Sequence, residues 1–171
     1  MLDIVNLRLM FDVHGPAEGS LEAPLTVLAD LQRQGLVRHI GLSNVTPAQI
    51  KQGRSIADIV CVQNHYNLVH RDDDALIDDL ATKGIAYVPY FPLGGFTPIQ
   101  SAALGDIATQ LGATPIQVAI AWLLRRSPNI LLIPGTSSIG HLRENIAAAA
   151  LELPNDAVVA LGRIGKNDAP V

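Results

Sequence analysis

Cysteine is nearly absent: Cys61 is the only one, so no disulfide can form within the chain, which fits a reducing cytoplasm. Aromatic residues make up only 4%, so a core has to be built from leucine, isoleucine, valine and alanine. Lysine occurs only at Lys51, Lys83 and Lys166, and the net charge is -4 with no basic block, which gives nucleic acid no surface to hold. No apolar run approaches the ~20 residues of a membrane span, and the first residues lack a basic region followed by an apolar core. No G-x-G-x-x-G follows the first apolar run, so the usual dinucleotide fingerprint of doubly wound sheets is missing. These absences predict a cytoplasmic, soluble chain with neither a nucleic-acid nor a membrane partner.

What is present is an alternation. The 171 residues are 49% apolar and 16% charged, enough for one domain over residues 1–171 but short of the roughly 250 residues of a complete (β/α)8 barrel. Short apolar runs alternate with longer helical patterns. The strands are predicted at Leu2 to Met10, Val37 to Leu42, Ile59 to Gln63, Ile85 to Phe91 and Ile130 to Ile133. The first, being almost continuously apolar, reads as buried on both faces. Helices are predicted at Leu21 to Gln34, after Thr46-Pro47, at Asp72 to Lys83, Leu104 to Leu111, Pro115 to Arg126, His141 to Ala150 and Pro154 to Gly162, with a frayed tail from Lys166. Strand-helix alternation implies parallel strands with right-handed crossovers. That pattern fits part of a barrel or a doubly wound sheet alike.

Polar residues gather where parallel folds place their sites, at the C-terminal ends of strands. Gly41-Leu42-Ser43-Asn44 ends the second strand and Gln63-Asn64-His65-Tyr66-Asn67 the third. Tyr90-Phe91-Pro92-Leu93-Gly94-Gly95 ends the fourth and Pro134-Gly135-Thr136-Ser137-Ser138 the fifth. Serine, asparagine and glutamine together supply the donors and acceptors a carboxamide needs. Tyr90 offers an aromatic face, and Gly135 to Ser138 offer backbone N–H groups and hydroxyls to a phosphate. Each has a structural alternative. Ser43-Asn44 can be turn and cap chemistry, and Gln63 and Asn64 can satisfy loop backbone. Tyr90 can be core, and Thr136 to Ser138 can be an N-cap.

Those segments, together with Gln117 to Leu124, Ile133-Pro134-Gly135-Thr136 and Glu144-Asn145, resemble aldo/keto reductase motifs in order and approximate spacing. The resemblance implies an α/β fold: a partial (β/α)8 TIM barrel of about five parallel strands with flanking helices, barrel strands four to eight. It looks closest to a bacterial subgroup with Ile-Pro-Gly-Thr at strand eight. It implies that Ser43, Asn44 and Gln63 hold a nicotinamide carboxamide and that Tyr90 stacks on the ring. Phe91, Leu93 and Gly94 would line the pyrophosphate path. Gly135, Thr136, Ser137 and His141 would meet the adenosine 2'-phosphate, with Glu144 and Asn145 near adenine. The implied cofactor is NADP(H); His141 stands where many members place an arginine, which leaves NAD(H) open.

The family reduces small aldehydes or ketones, with a tyrosine as proton donor tuned by a lysine and an aspartate, all from the first barrel strands. The resemblance begins at the fourth, so this chain alone is expected to be inactive. The candidate catalytic residues are Arg8, where counting on from Asp3 places the family's histidine, and His14, which also reads as an exposed loop histidine. A partial barrel exposes two sheet edges, which a homo-oligomeric pair would cover. The alternatives are a non-catalytic nucleotide-binding remnant, an oligomeric assembly module and a doubly wound regulator.

Overall fold

The computed structural model describes residues 1–9, 12, 15–95, 99 and 101–165. The elements are β1 (Leu2–Arg8), α1 (Glu22–Arg33), β2 (Val37–Ser43), α2 (Pro47–Arg54), β3 (Ile59–Gln63), α3 (Asp74–Thr82), β4 (Ala86–Tyr87), α4 (Ala102–Gln110), α5 (Pro115–Arg126), α6 (Ile139–Ala147) and α7 (Asn155–Leu161). A short 3-10 turn, Ala148–Ala150, continues α6. The predicted tail from Lys166, and Met10 of the first predicted strand, lie outside the described residues.

β1 to β4 form one parallel sheet in the order β1-β2-β3-β4. Each strand lies beside its predecessor in sequence, with no reversal. A doubly wound sheet turns back at a switch point; a barrel winds one way. The helices cover one face of this sheet. Ile40 and Leu42 of β2, Leu25 of α1, Leu76, Ile77 and Leu80 of α3 and Val118 of α5 belong to one buried cluster. The other face opens on a cavity of about 470 Å³ lined by Ile4, Asn6, His39, Cys61 and Leu131. It corresponds to the inside of a barrel seen from its open side.

Two predicted strands come out differently. The run Ile85 to Phe91 is a regular strand only at Ala86–Tyr87; beyond it Val88 and Tyr90 still donate to the carbonyls of Val62 and Asn64, with a bridge between His65 and Tyr90. Pro89 lies between Val88 and Tyr90 and, on the side facing the fifth run, has no N–H to donate. The run Ile130 to Ile133 is not a strand; Ile130 makes one bridge to Tyr87, and beyond it Leu131 and Ile133 are exposed before Pro134. β1 is not buried on both faces either. Leu2 and Ile4 are exposed, because among the described residues β1 pairs only with β2 and its inner face lines the open cavity.

Capping fixes α2 and α5. Thr46 and Thr114 each accept a bond from the third helical N–H, and Gln49 and Gln117 bond back to the caps, with proline at the first turn. Gln49 goes further: its buried amide donates to the carbonyls of Ala17 and Gly19 at 3.0 and 2.9 Å, tying the loop after β1 to α2. Replacing Thr114 with alanine is expected to cost about 1 kcal/mol in a urea melt. No loss would mean the capping box of α5 is redundant.

Among the described residues no single helix is long and apolar enough to cross a membrane.

Candidate active site at the carboxyl ends of the strands

Parallel register sets the site in two rows. One residue pairs to the next as Asn6–Gly41–Cys61 across β1, β2 and β3, and two residues further on as Arg8–Ser43–Gln63. The second row is the end of the sheet, and its side chains share the inner face with those of the first.

Ser43 is buried, and its Oγ has no hydrogen-bond partner among the described residues. A buried hydroxyl without a partner costs about 1–3 kcal/mol, so its place invites a ligand group. Asn44 follows with φ 60, the left-handed region that asparagine tolerates better than most residues. Its Nδ2 lies 3.1, 3.2 and 3.0 Å from the carbonyls of Leu9, Asp12 and Gly15. Its Oδ1 accepts from the Tyr90 hydroxyl at 3.2 Å. Asn44 therefore clips the loop after β1 to the sheet end. Gln63 is half-buried, with Oε1 accepting from Asn6 Nδ2 at 3.3 Å. Asn64 takes its structural alternative: it bonds both N–H and carbonyl of Val45, at 3.0 and 2.9 Å, and Asp73 at 2.8 Å.

Two planar groups lie close to the Tyr90 ring. The Arg8 guanidinium lies 5.2 Å from its ring centroid, and the His65 ring stacks at 5.4 Å and 11°. Burial raises the Tyr90 pKa, against the lowering effect of Arg8. Phe91 has φ 52, and its carbonyl accepts from Asn67 Nδ2 at 3.0 Å. A Cβ on Gly95 would lie 2.8 Å from the Phe91 ring, at φ 70. Tyr90, Phe91, Leu93, Ile133 and Gly135 line a cleft of about 380 Å³. Gly94, at φ 94, belongs to the turn that closes on Phe91.

Beyond the cleft, Thr136 Oγ1 accepts from Ser138 N at 3.1 Å, and Ser138 caps α6 by accepting from His141 N. The local capping alternative thus belongs to Ser138. Ser137, His141 and Glu144 are exposed and Asn145 is half-buried, along the start and outer side of α6. The structure brings Arg8, Ser43, Asn44, Gln63 and Tyr90 into one cluster and Phe91, Leu93 and Gly135 into one cleft. The cleft lining reaches Gly135, and the α6 residues follow it along the chain. His14 lies outside the described residues.

Sequence reasoning missed Asn6 and His70. Asn6 is two residues before Arg8 in a strand, so period-two spacing already put it on the same face. His70 stacks on His65 at 3.9 Å and 14° and lies 3.6 Å from Asp72. Burial, then the His70 charge, lower the His65 pKa, with Asp72 opposing. Below about pH 6.5 the unfolded chain takes up a proton that folded His65 resists, so stability falls as pH drops through that value and levels below the folded pKa. His65→Gln is expected to flatten this part of the melting-temperature profile; an unchanged slope would remove His65 from the account.

The family model for the aldo/keto reductase family matches residues 9–165. The chain belongs to the aldo/keto reductase family. Pyridoxine 4-dehydrogenase of Escherichia coli K12 is 67% identical over 167 residues, covering 97% of this chain and 58% of that protein. An uncharacterized oxidoreductase of Schizosaccharomyces pombe is 37% identical over 82% of this chain and 46% of its own length. Among solved structures, a thermostable aldo-keto reductase in complex with the inhibitor epalrestat superposes with a TM-score of 0.78 at 30% identity, over 94% of this chain and 58% of that one. An aldo/keto reductase from Klebsiella pneumoniae in complex with NADP and acetate gives a TM-score of 0.80 at 24% identity, over 95% and 58%. This chain thus spans about half the length of the family members it matches, and its sheet is part of their barrel.

Proposed function

We propose that this chain is the cofactor-holding part of an aldo/keto reductase that uses NADP(H), with NAD(H) as the second candidate, to interconvert a small aldehyde or ketone and its alcohol. The observation that carries the reading is the buried Ser43 Oγ, without a hydrogen-bond partner among the described residues, paired with Gln63 at the sheet end. Ser43 would donate to or accept from a carboxamide, Gln63 would bond its other side, and Tyr90 would offer a ring face once Arg8 moves aside. Phe91, Leu93, Gly94 and Gly135 would line the pyrophosphate path. Thr136, Ser137 and His141 would face a 2'-phosphate, with Glu144 and Asn145 near adenine. The nicotinamide, when bound, supplies or receives the hydride. Asn44 acts mainly by holding the loop after β1 beside it.

The residues also bear on proton transfer. Tyr66 donates to Asp74 at 2.6 Å, and burial followed by that bond pushes its pKa up to about 12. Tyr87 donates to Asp73 at 2.8 Å, and burial and Asp73 raise its pKa further. Neither is poised to give up a proton near neutral pH. We therefore assign no proton donor here, and Arg8 is a candidate for orienting a carbonyl rather than for acid catalysis, since a guanidinium keeps its proton. The name of the Escherichia coli relative makes the 4-position of pyridoxine the first substrate to try.

The test is reduced-cofactor fluorescence with the purified chain. Enhanced NADPH emission on mixing, weakened about tenfold in affinity by Ser43→Ala, is expected from the loss of a bond to a buried group. No change on mixing would overturn cofactor binding. Oxidation of pyridoxine with NADP by the chain alone would overturn the view that proton transfer needs residues beyond those assigned here.

A further inference from the structure

Gly41 leaves a gap through which side chains of non-adjacent strands meet. A Cβ at Gly41 would lie 2.0 Å from Asn6 Oδ1 and 2.5 Å from Cys61 Sγ, closer than any real contact. Without it, the Cys61 thiol reaches over β2 to Asn6 Oδ1 at 3.3 Å. The register shifts between Ile40 and Gly41, bringing Gly41 opposite Cys61. Burial raises the Cys61 pKa, so the thiol keeps its proton and is available as a donor. With Oδ1 taken by the thiol, the opposite end of the Asn6 amide is Nδ2, which meets Gln63 Oε1 at 3.3 Å. The chain of donors runs Cys61 to Asn6 to Gln63. At its end, Gln63 has Oε1 engaged and Nε2 without a bond among the described residues.

We propose that Asn6 is a positioning residue that fixes which end of the Gln63 amide faces the ligand, so that Gln63 meets the carbonyl oxygen of a carboxamide with Nε2 and not its amino group with Oε1. The proposal rests on the reading above that Gln63 meets the carboxamide. Asn6 is exposed on the open side of the sheet, so its bond to Gln63 competes with water. Its contribution is direction, not stability. The same pattern explains an otherwise odd row: an asparagine, a glycine and a cysteine side by side in the middle of three apolar strands.

Direction is read by comparing two ligands, NADP and its 3-acetylpyridine analogue, which keeps the carbonyl and replaces the amino group with methyl. Both are titrated by competition against NADPH fluorescence. In the wild type Gln63 serves the carbonyl that both possess. In Asn6→Asp, residue 6 only accepts, so Gln63 turns Nε2 towards it and presents Oε1. The analogue then faces an acceptor with its own carbonyl. The ratio of dissociation constants, analogue over NADP, is expected to rise about tenfold, the effect of one hydrogen bond replaced by an unpaired contact. Lowering the pH until the introduced carboxylate is protonated restores a donor and is expected to bring the ratio back. Should Asn6→Asp not fold, as judged by circular dichroism, Cys61→Val removes the thiol that orients Asn6 and is expected to raise the ratio about threefold, while Cys61→Ser, which keeps a donor, leaves it within about twofold. A ratio unmoved in Asn6→Asp, or unmoved in Cys61→Val, overturns the relay while leaving cofactor binding intact. Failure of the wild type to bind either ligand overturns the proposed function and the relay with it.

Discussion

Replacing Asp73 with alanine is expected to lower the stability of the chain by about 3–5 kcal/mol. Its carboxylate takes two bonds at once, from Asn64 Nδ2 and from the Tyr87 hydroxyl, both at 2.8 Å. Tyr87 is fully buried and Asn64 nearly so. Without Asp73 two buried donors lose their partner, each at a cost of about 1–3 kcal/mol. The damage should also reach the site. Asn64 holds both polar groups of the Val45 backbone, directly after Ser43 and Asn44. Asp73→Asn keeps one acceptor oxygen and is expected to fall between the wild type and alanine. Urea unfolding measures the first effect and NADPH titration the second. A loss below about 1 kcal/mol in Asp73→Ala would show that water replaces the carboxylate.

Leu42→Ala is expected to cost about 3 kcal/mol, within the usual range for a fully buried leucine. Leu42 has no exposed surface. Across from it, α2 approaches at Gly53, where a Cβ would sit 2.9 Å from Leu42 Cδ1 and 3.4 Å from Leu25 Cδ2. A glycine has no side chain with which to fill the space a truncated Leu42 leaves. Gly53→Ala alone should crowd Leu42, whereas in the Leu42→Ala background it should recover part of the loss. A double-mutant cycle by urea melts tests this. Strict additivity would mean that α2 simply shifts to accommodate either change.

The elements easiest to recognise were those whose ends carry their own chemistry. α5 runs from Pro115 to Arg126 as predicted, because Thr114, Pro115 and Gln117 write the start in local bonds. β3 runs from Ile59 to Gln63 as predicted, an uninterrupted β-branched and apolar run. The fourth predicted strand carries its irregularity in plain view: Val88 and Tyr90 keep their N–H bonds to Val62 and Asn64, but Pro89, on the side facing the fifth run, has no N–H to give. The fifth failed because its neighbour gives out: Tyr87 bonds Asn129 and Leu131, and the next residue on that side of the fourth run is Pro89, which has no N–H to continue the ladder.

The site divides in the same way. Ser43, Gln63 and Tyr90 were recognisable because polar residues at the ends of apolar runs stand out. What Asn44 does was not, because its amide is taken by Leu9, Asp12 and Gly15, residues far away in sequence. The Asn6–Gly41–Cys61 row requires inter-strand register. That is fixed by the pairing of whole strands and by no residue within the row.

Among the described residues β1 pairs with a single neighbour and buries little of itself, yet it carries Asn6 and Arg8. Its amides should therefore be among the first to exchange with deuterium, through local opening rather than global unfolding. The order of the pocket then follows the breathing of its most loosely held strand. A molecule that seats against Gln63 and Tyr90 has to quiet that strand first, so its grip will show as slowed exchange along residues 4–8.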